Sequence, residues 1–373
     1  MAEECHIKNV VRPVTVDGPK PAHVGFPRVN DRFPPTNPKV LVLPFSFSDV
    51  PADGVMGPAL GGLRGAKHFY EQVSWGKATM TIVEAPRNLW IEIPKTAQEM
   101  NFSKESSKRH AGYVIHELLD YAKPESRFED YDIIYLVGSP RLLNWATAKM
   151  EADLDFGPYT SPGGVVRSAV LLTESLTSSQ LSAHELGHAW LNLEDEYSVI
   201  GGVKDFVGMN RFDLMALGGG NEYSAADMTI WNKYLAGWVD PTQVRCITQP
   251  GTTTHFISTN SQKSDLPKAV LVRVSETKVL VIDTWRKSEF NPCCDETIAY
   301  VIDASRLQGA GQYRLQGAME VPGDRVDLDR SHLATTSQWT FLPNEPLTIG
   351  AISVRLLASD TSGSLVEVTT SQE

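Results

Sequence analysis

The sequence contains no long apolar run. None of its 373 residues lies in a stretch approaching the roughly 20 apolar positions needed to cross a bilayer, so no membrane-spanning helix is expected. It has no basic stripe either. The 34 Lys and Arg stand against 45 Asp and Glu, giving a net charge of −11 with the acids spread along the chain. Phosphate backbones are bound by clustered cations, so nucleic acid is not an expected partner. Cysteine is scarce: Cys5, Cys246, Cys293 and Cys294 are the only ones, and none forms a CxxC pair. A cysteine-ligated zinc site is therefore not expected. Two disulfides and four free thiols both remain open. If the adjacent Cys293 and Cys294 are bridged, different partners are expected, because a vicinal bridge strains the peptide. The start, MAEECHIKNVV, lacks the charged and apolar regions of a secretory signal. The chain is read as cytoplasmic, or as exported and without its leader. It shows no short-period repeat and no low-complexity tract.

What is present is enough apolar residue, 42%, for one large domain or two ordinary ones. Residues 1–38 are Pro-rich and broken, and read as an arm lying on a later domain or as a mobile leader. From 39 onward, strand-like runs (KVLVLPFSF, KATMTIVEAP, YDIIYLVGSP, SAVLLTES) alternate with helical spacing over 65–75, 104–123 and from about 178. This is a mixed α/β unit of the α+β type, expected over 39–244. Beyond 245 the texture changes. The runs KAVLVRVS, KVLVIDTW, TIAYVID, LTIGAISVRLL and GSLVEVTT recur between turn signals without an intervening helix. An all-β, sandwich-like domain is expected over 245–373.

The chemistry is concentrated in SAHELGHAWLNLEDEYS, residues 182–198. Thr177 and Gln180 form a capping-box signal for a helix starting near 178. On that helix His184 and His188 lie one turn apart on one face, spaced to reach a single zinc. Glu185 stands beside them, suited to act as general base on water. The bland alternative is a helix with two histidines spaced four apart by chance. A third ligand with negative charge would leave a fourth position for water. Glu194, Asp195 and Glu196 all follow closely. For one of them to swing back, the chain must reverse through a residue tolerant of positive φ, and Asn192 suits this better than Leu191. In the pattern HExxHxxGxx(H/D) the ligand comes three residues after the turning residue. That favours Asp195, with Glu194 and then Glu196 as alternatives. Tyr197 is a packing aromatic or an oxyanion donor. In RFDLMALGGG, Met215 is placed to form a floor under the ligands, ahead of Gly218, Gly219 and Gly220. Tyr223 is a further oxyanion candidate. His110, His116 and His255 read as ordinary surface or core histidines.

These residues resemble the immune inhibitor A family of secreted zinc metallopeptidases, which are metzincin-like. The resemblance rests on KVLVLPFSFSDVPA, HFYEQVSWGKATMTI, YDIIYLVGSP, HELGH, FDLMALGGG and MTIWNKYLAGWVDP in that order. KVLVIDTWRKSEF and PLTIGAISVRLLASDTSGSLVEVT extend it to roughly residue 370. It implies a zincin-type catalytic domain, His184 and His188 as zinc ligands, Glu185 as base, Met215 as the turn methionine, secretion and structural calcium. The sequence departs from that family at Leu191 and Glu194, which stand where Gly and Asp are usual. The ending DEY instead resembles the immunoglobulin-A zinc peptidases, and a loop longer by one residue, turning at Asn192, reconciles the two. The resulting expectation is a zinc endopeptidase acting on protein or peptide. A degenerate zinc-binding surface protein and a zinc hydrolase of non-peptide bonds are the alternatives.

Overall fold

A computed structural model of the chain describes residues 2–10, 23–28, 36–102, 111–142, 146–150, 158–173, 178–196, 198–200, 203–205, 209, 212–216, 226–291, 295–306, 313–320, 340–341 and 346–371. The chain divides into two compact units, 34–192 and 1–33 with 193–373. The expected division at 244/245, with 1–38 as a separate arm, is not where the contacts separate. Residues 193–244 and the N-terminal segment cluster with the β-rich part.

Unit 34–192 is built on a mostly parallel sheet. Its central strand β1 (Lys39–Phe47) is buried continuously from Val40 to Phe45. Such a run is typical of a parallel strand covered on both faces. The strand β2 (Thr81–Glu84) pairs with its first half and β3 (Ile91–Ile93) with its second, both parallel. On the far side from β2 lies β4 (Ile133–Val137), also parallel. The edge strand β5 (Ala146–Met150) closes this side in antiparallel pairing. A hairpin, β6 (Tyr159–Ser161) and β7 (Gly164–Val166), leads into β8 (Ser168–Leu172), which sits between β4 and β5.

Successive residues of a strand point to opposite faces, and β4 uses this to carry two cores. Ile134 and Leu136 join Leu41, Leu43 and Phe45 of β1 in a cluster with Val114, Ile115 and Leu118 of helix α2 (Ala111–Leu119). Tyr135, between them, turns the other way and bonds Ser182 at 2.9 Å on helix α3 (Ser179–Leu191). Helix α1 (Met56–Val73) packs along α3. It starts nine residues earlier than the 65–75 expectation, because the Gly-rich MGPALGGLRG masks helical spacing. Of the expected helix over 104–123, residues 103–110 lie outside the described ones.

From residue 198 the other unit has a hairpin, β9 (Ser198–Ile200) and β10 (Val203–Asp205), and then a short helix α4 (Ile230–Leu235). Two sheets follow. One has the order β11-β13-β14-β15-β16-β17, from β11 (Val244–Ile247), β13 (Ala269–Arg273), β14 (Lys278–Trp285), β15 (Glu296–Asp303), β16 (Tyr313–Glu320) and β17 (Thr340–Phe341). The other is antiparallel, β12-β20-β19-β18, from β12 (Gly251–Ser258), β18 (Leu347–Ile349), β19 (Ile352–Asp360) and β20 (Gly363–Thr370). Leu280 and Ile282 of the first sheet and Val354, Val366 and Val368 of the second share one core, which makes a two-layer β arrangement. The class is thus mixed α/β with several sheets. Among the described residues no helix is long and apolar enough to cross a membrane.

The N-terminal segment belongs to this β unit. Ala2–Cys5 forms a 3-10 turn against β11 and β13, and Cys5 is bonded to Cys246 of β11. That pairing removes both as partners for Cys293 and Cys294, which lie outside the described residues. Asp283 of β14 faces away from the shared core, and its Oδ2 accepts the Ile230 N–H at 2.9 Å at the start of α4. Burial raises its carboxyl to about 7 from a usual 3.8, against the pull of that N–H and of Lys233.

Two predictions follow from this packing. A Cβ on Gly65 of α1 would fall on the Ser179 side chain of α3. Gly65→Ala should cost about 1–3 kcal/mol in a denaturant titration, with much of it recovered on adding Ser179→Gly. A carboxyl raised in the fold contributes stability that is full below the unfolded pKa of about 4 and lost as pH rises through its folded pKa. The midpoint of Asp283→Asn, which cannot ionise, should therefore gain on wild type as pH is raised from about 4 to 7. A gap that stays constant would contradict it.

Candidate metal centre

Helix α3 is clamped before its histidines are considered. Its N-cap is Ser178, whose hydroxyl accepts the Leu181 N–H at 3.1 Å, one residue after the expected Thr177, which lies outside the described residues. Three bonds fix the first turn: Ser182 to the Ser178 carbonyl at 3.0 Å, Tyr135 to Ser182, and Tyr70 of α1 to the Ala183 carbonyl at 2.6 Å. Near the last turn the Tyr70 ring meets Trp190 edge-on at 4.9 Å. The helix is buried nearly all round, unlike a surface helix with one apolar stripe.

His184 and His188 lie on one face of this helix. Their Nε2 atoms are 3.2 Å apart and their rings perpendicular, at 90°. Nitrogens bound about 2.1 Å from a tetrahedral zinc sit about 3.4 Å apart, so the pair has the separation such an ion requires. It is also the length of an N–H···N hydrogen bond. Glu185 is buried on the adjacent face, close enough to Tyr135 to add to the rise that burial imposes on that phenol.

The helix ends as its sequence suggested. Asn192 takes φ 50° and ψ 45°, in the left-handed region, and its N–H bonds the His188 carbonyl at 3.1 Å. The chain therefore reverses directly after the second histidine. The three acids that follow part ways. One carboxylate oxygen of Asp195 and one nitrogen from each of His184 and His188 all lie within 4.8 Å of one another, the one such group among the described residues. Glu194 Oε1 instead accepts the His23 N–H at 3.1 Å. Glu196 is wholly buried, its backbone N–H bonded to the Met215 carbonyl at 3.0 Å and its Oε1 accepting from Asn232 at 2.6 Å. A transition metal fits the donor set of two imidazoles and one carboxylate. His184, His188 and Asp195 are the residues that would hold it.

Met215 lies wholly buried in a 3-10 turn, Leu214–Ala216. Beneath it is a network that the sequence reading missed. Asp213 accepts from the Met215 N–H at 2.8 Å, from the Thr229 N–H at 2.7 Å and from Asn232 at 2.9 Å. Tyr313 donates to the Asn232 amide oxygen at 2.7 Å. Burial raises Asp213 to about 6, and burial followed by the charge of Asp213 raises Glu196 well above a usual carboxyl. The Asn232 amide bridges the two carboxyls, donating to each. An acid two residues ahead of the methionine, in an otherwise apolar turn, was the available signal.

Tyr197, Tyr223, His110 and Gly218, Gly219 and Gly220 lie outside the described residues. His116 stacks on Tyr159 at 3.9 Å and His255 bonds Thr253 at 2.8 Å, so neither joins the cluster. No second group of this kind among the described residues supplies ligands for the calcium that the resemblance implies. Compared with known proteins, the sequence matches no family model and no curated protein.

The turn has a direct test. Asn tolerates the left-handed region better than other residues with a Cβ, and Gly better still. In urea titrations Asn192→Ala should cost about 1–2 kcal/mol, and Asn192→Gly should cost less. Equal losses would mean that the side chain of Asn192, rather than its backbone, is what matters.

Proposed function

We propose that this chain is a zinc-dependent endopeptidase of the zincin type, holding its metal through His184, His188 and Asp195. The observation that carries the reading is the convergence of these three donors, produced by one helical turn and one left-handed residue. Zinc held by two imidazoles and a carboxylate supplies Lewis acidity, acidifying a water and polarising a carbonyl oxygen. The protein's own part is then proton handling and orientation. Glu185 is fixed in α3 next to His184, takes the proton of the attacking water and passes it to the departing amine. Its burial in a clamped helix keeps that carboxylate in place and largely free of bulk solvent. The helix clamp by Ser182, Tyr70 and Tyr135 keeps both rings in register.

Protein or peptide is the substrate class on this reading, and no nucleic acid is involved. Export is supported by the Cys5–Cys246 disulfide, since such bonds persist in oxidising compartments. Glu185 favours an enzyme over a binding protein, because metal retention alone has no use for a carboxylate at that place.

Purified protein should carry one equivalent of zinc by elemental analysis and cleave casein. Glu185→Gln should retain the metal while cleavage falls by about 10²–10⁴-fold. His184→Ala and Asp195→Ala should lose metal and activity together. Zinc-loaded wild type that leaves every peptide in a broad library intact would replace the enzyme with a binding protein.

A further inference from the structure

Glu194 was the nearest competitor of Asp195 for the metal, and the structure gives it other partners. It is 8% exposed, and its Oε1 takes the backbone N–H of His23, a residue 171 positions earlier. The carbonyl of the same His23 accepts from Arg28 at 2.6 Å. Arg28 is close enough to Glu194 for their charges to attract. Burial lowers its guanidinium to about 10, while Tyr313 and Glu194 oppose the shift.

This short run, 23–28, is itself pinned to the β unit. The Val24 carbonyl accepts from the Trp231 indole at 2.9 Å. Phe26 stacks on His6 at 3.8 Å, and the Phe26 N–H bonds the Ile7 carbonyl at 2.7 Å. His6 bonds the Tyr234 hydroxyl at 2.8 Å. One residue before it, Cys5 is joined to Cys246, closing a loop with a sequence separation of 241. A continuous series of contacts thus runs from the disulfide to the Glu194 carboxylate. On the other side of Asp195, Glu196 is tied to Met215 and Asn232. The ligand acid therefore lies between two anchored neighbours.

We propose that residues 23–28, fastened through Cys5–Cys246, are a positioning strap for the metal centre, holding Glu194 so that Asp195 alone faces the two histidines. The inference rests on the metal reading above. It assigns the N-terminal segment a task in metal binding, and it assigns Glu194 the role of positioning residue. Outer partners of metal ligands set ligand orientation, and their loss weakens binding about 10–100-fold.

The test uses the full chain, stripped of metal and titrated with zinc against a chromophoric chelator. The unfolding midpoint of each metal-free variant is measured in parallel. Glu194→Ala should weaken zinc by about 10–100-fold. Glu194→Gln keeps an oxygen for the His23 N–H and should recover most of that loss. Simple structural damage does not predict this rescue. The double variant Cys5→Ser/Cys246→Ser should also lose affinity, by less than Glu194→Ala. Wild-type affinity in Glu194→Ala overturns the strap, and so does an equal loss in Glu194→Gln when Asp195→Ala binds normally, because Glu194 is then the ligand itself. Unchanged affinity in the serine double variant removes the disulfide from the proposal. Wild type that takes up no zinc fails the metal reading, and with it the strap; normal wild-type uptake with a failed strap leaves the metal reading intact.

Discussion

Asn192 holds φ 50° and ψ 45°, and its N–H closes on the carbonyl of His188. Without that left-handed residue the chain would leave α3 along its axis. The acids that follow would then be carried away from the imidazoles at up to about 3.3–3.6 Å per residue. With it, Asp195 returns to within 4.8 Å of the ring nitrogens in three further residues. The choice of Asn over Gly has a cost and a benefit. Asn enters this region with a small steric penalty, but it restricts the unfolded chain more than Gly does. The helix before the turn cannot absorb an error in the turn, because Tyr70, Tyr135 and Trp190 leave it no freedom to slide.

The anchor downstream of Asp195 is polar rather than apolar. Glu196, Asp213, Asn232 and Tyr313 are all buried. Removing such groups from water costs several kcal/mol unless their bonds are made. Here Asn232 is saturated, donating to both carboxyls and accepting from Tyr313. These shared bonds narrow the number of ways residues 196, 213 and 232 can be arranged, and Glu196 Oε2 is the one oxygen of the two carboxyls without a hydrogen-bond partner. Met215 then hangs from the network by its own N–H and carbonyl, which fixes its backbone whatever its side chain touches.

Local patterns were legible in the sequence where one physical rule acts alone. The buried parallel strands declared themselves through unbroken apolar runs, as in IIYLV of β4. The left-handed cap declared itself through Asn192, and the histidine pair through helical period. The β strands after 245 followed from β-branched runs between turns. What depends on distant partners is not legible locally. Nothing near Thr177 tells that Ser178 will be the cap. Nothing in RPVTVDGPKP tells that the flanking residues 5–8 and 23–28 will be fastened to β11 and α4. The expected boundary at 244/245 followed a change in texture, whereas compactness follows contacts. Ile230, in the stretch before 245, bonds Asp283 of β14. Composition reports local conformation, and only pairing reports membership of a core.

The separation of the two histidines bears on how ready the centre is. At 3.2 Å, one imidazole N–H can donate to the lone pair of the other. That arrangement needs one donor and one acceptor, so it admits a single proton between the rings. A divalent ion needs both lone pairs free, so the ring that donates here would carry its proton on Nδ1 instead. The spacing a tetrahedral ion requires differs from the observed one by only a few tenths of an ångström. An ion bound there would need little movement of α3, whose tyrosine clamps would resist it. On the proposed metal reading the adaptable partner is Asp195, the one candidate donor on non-helical chain, and the anchoring of Glu194 and Glu196 on either side limits how far it can stray. The helix supplies two rigid donors, and the anchored loop sets the accuracy of the third.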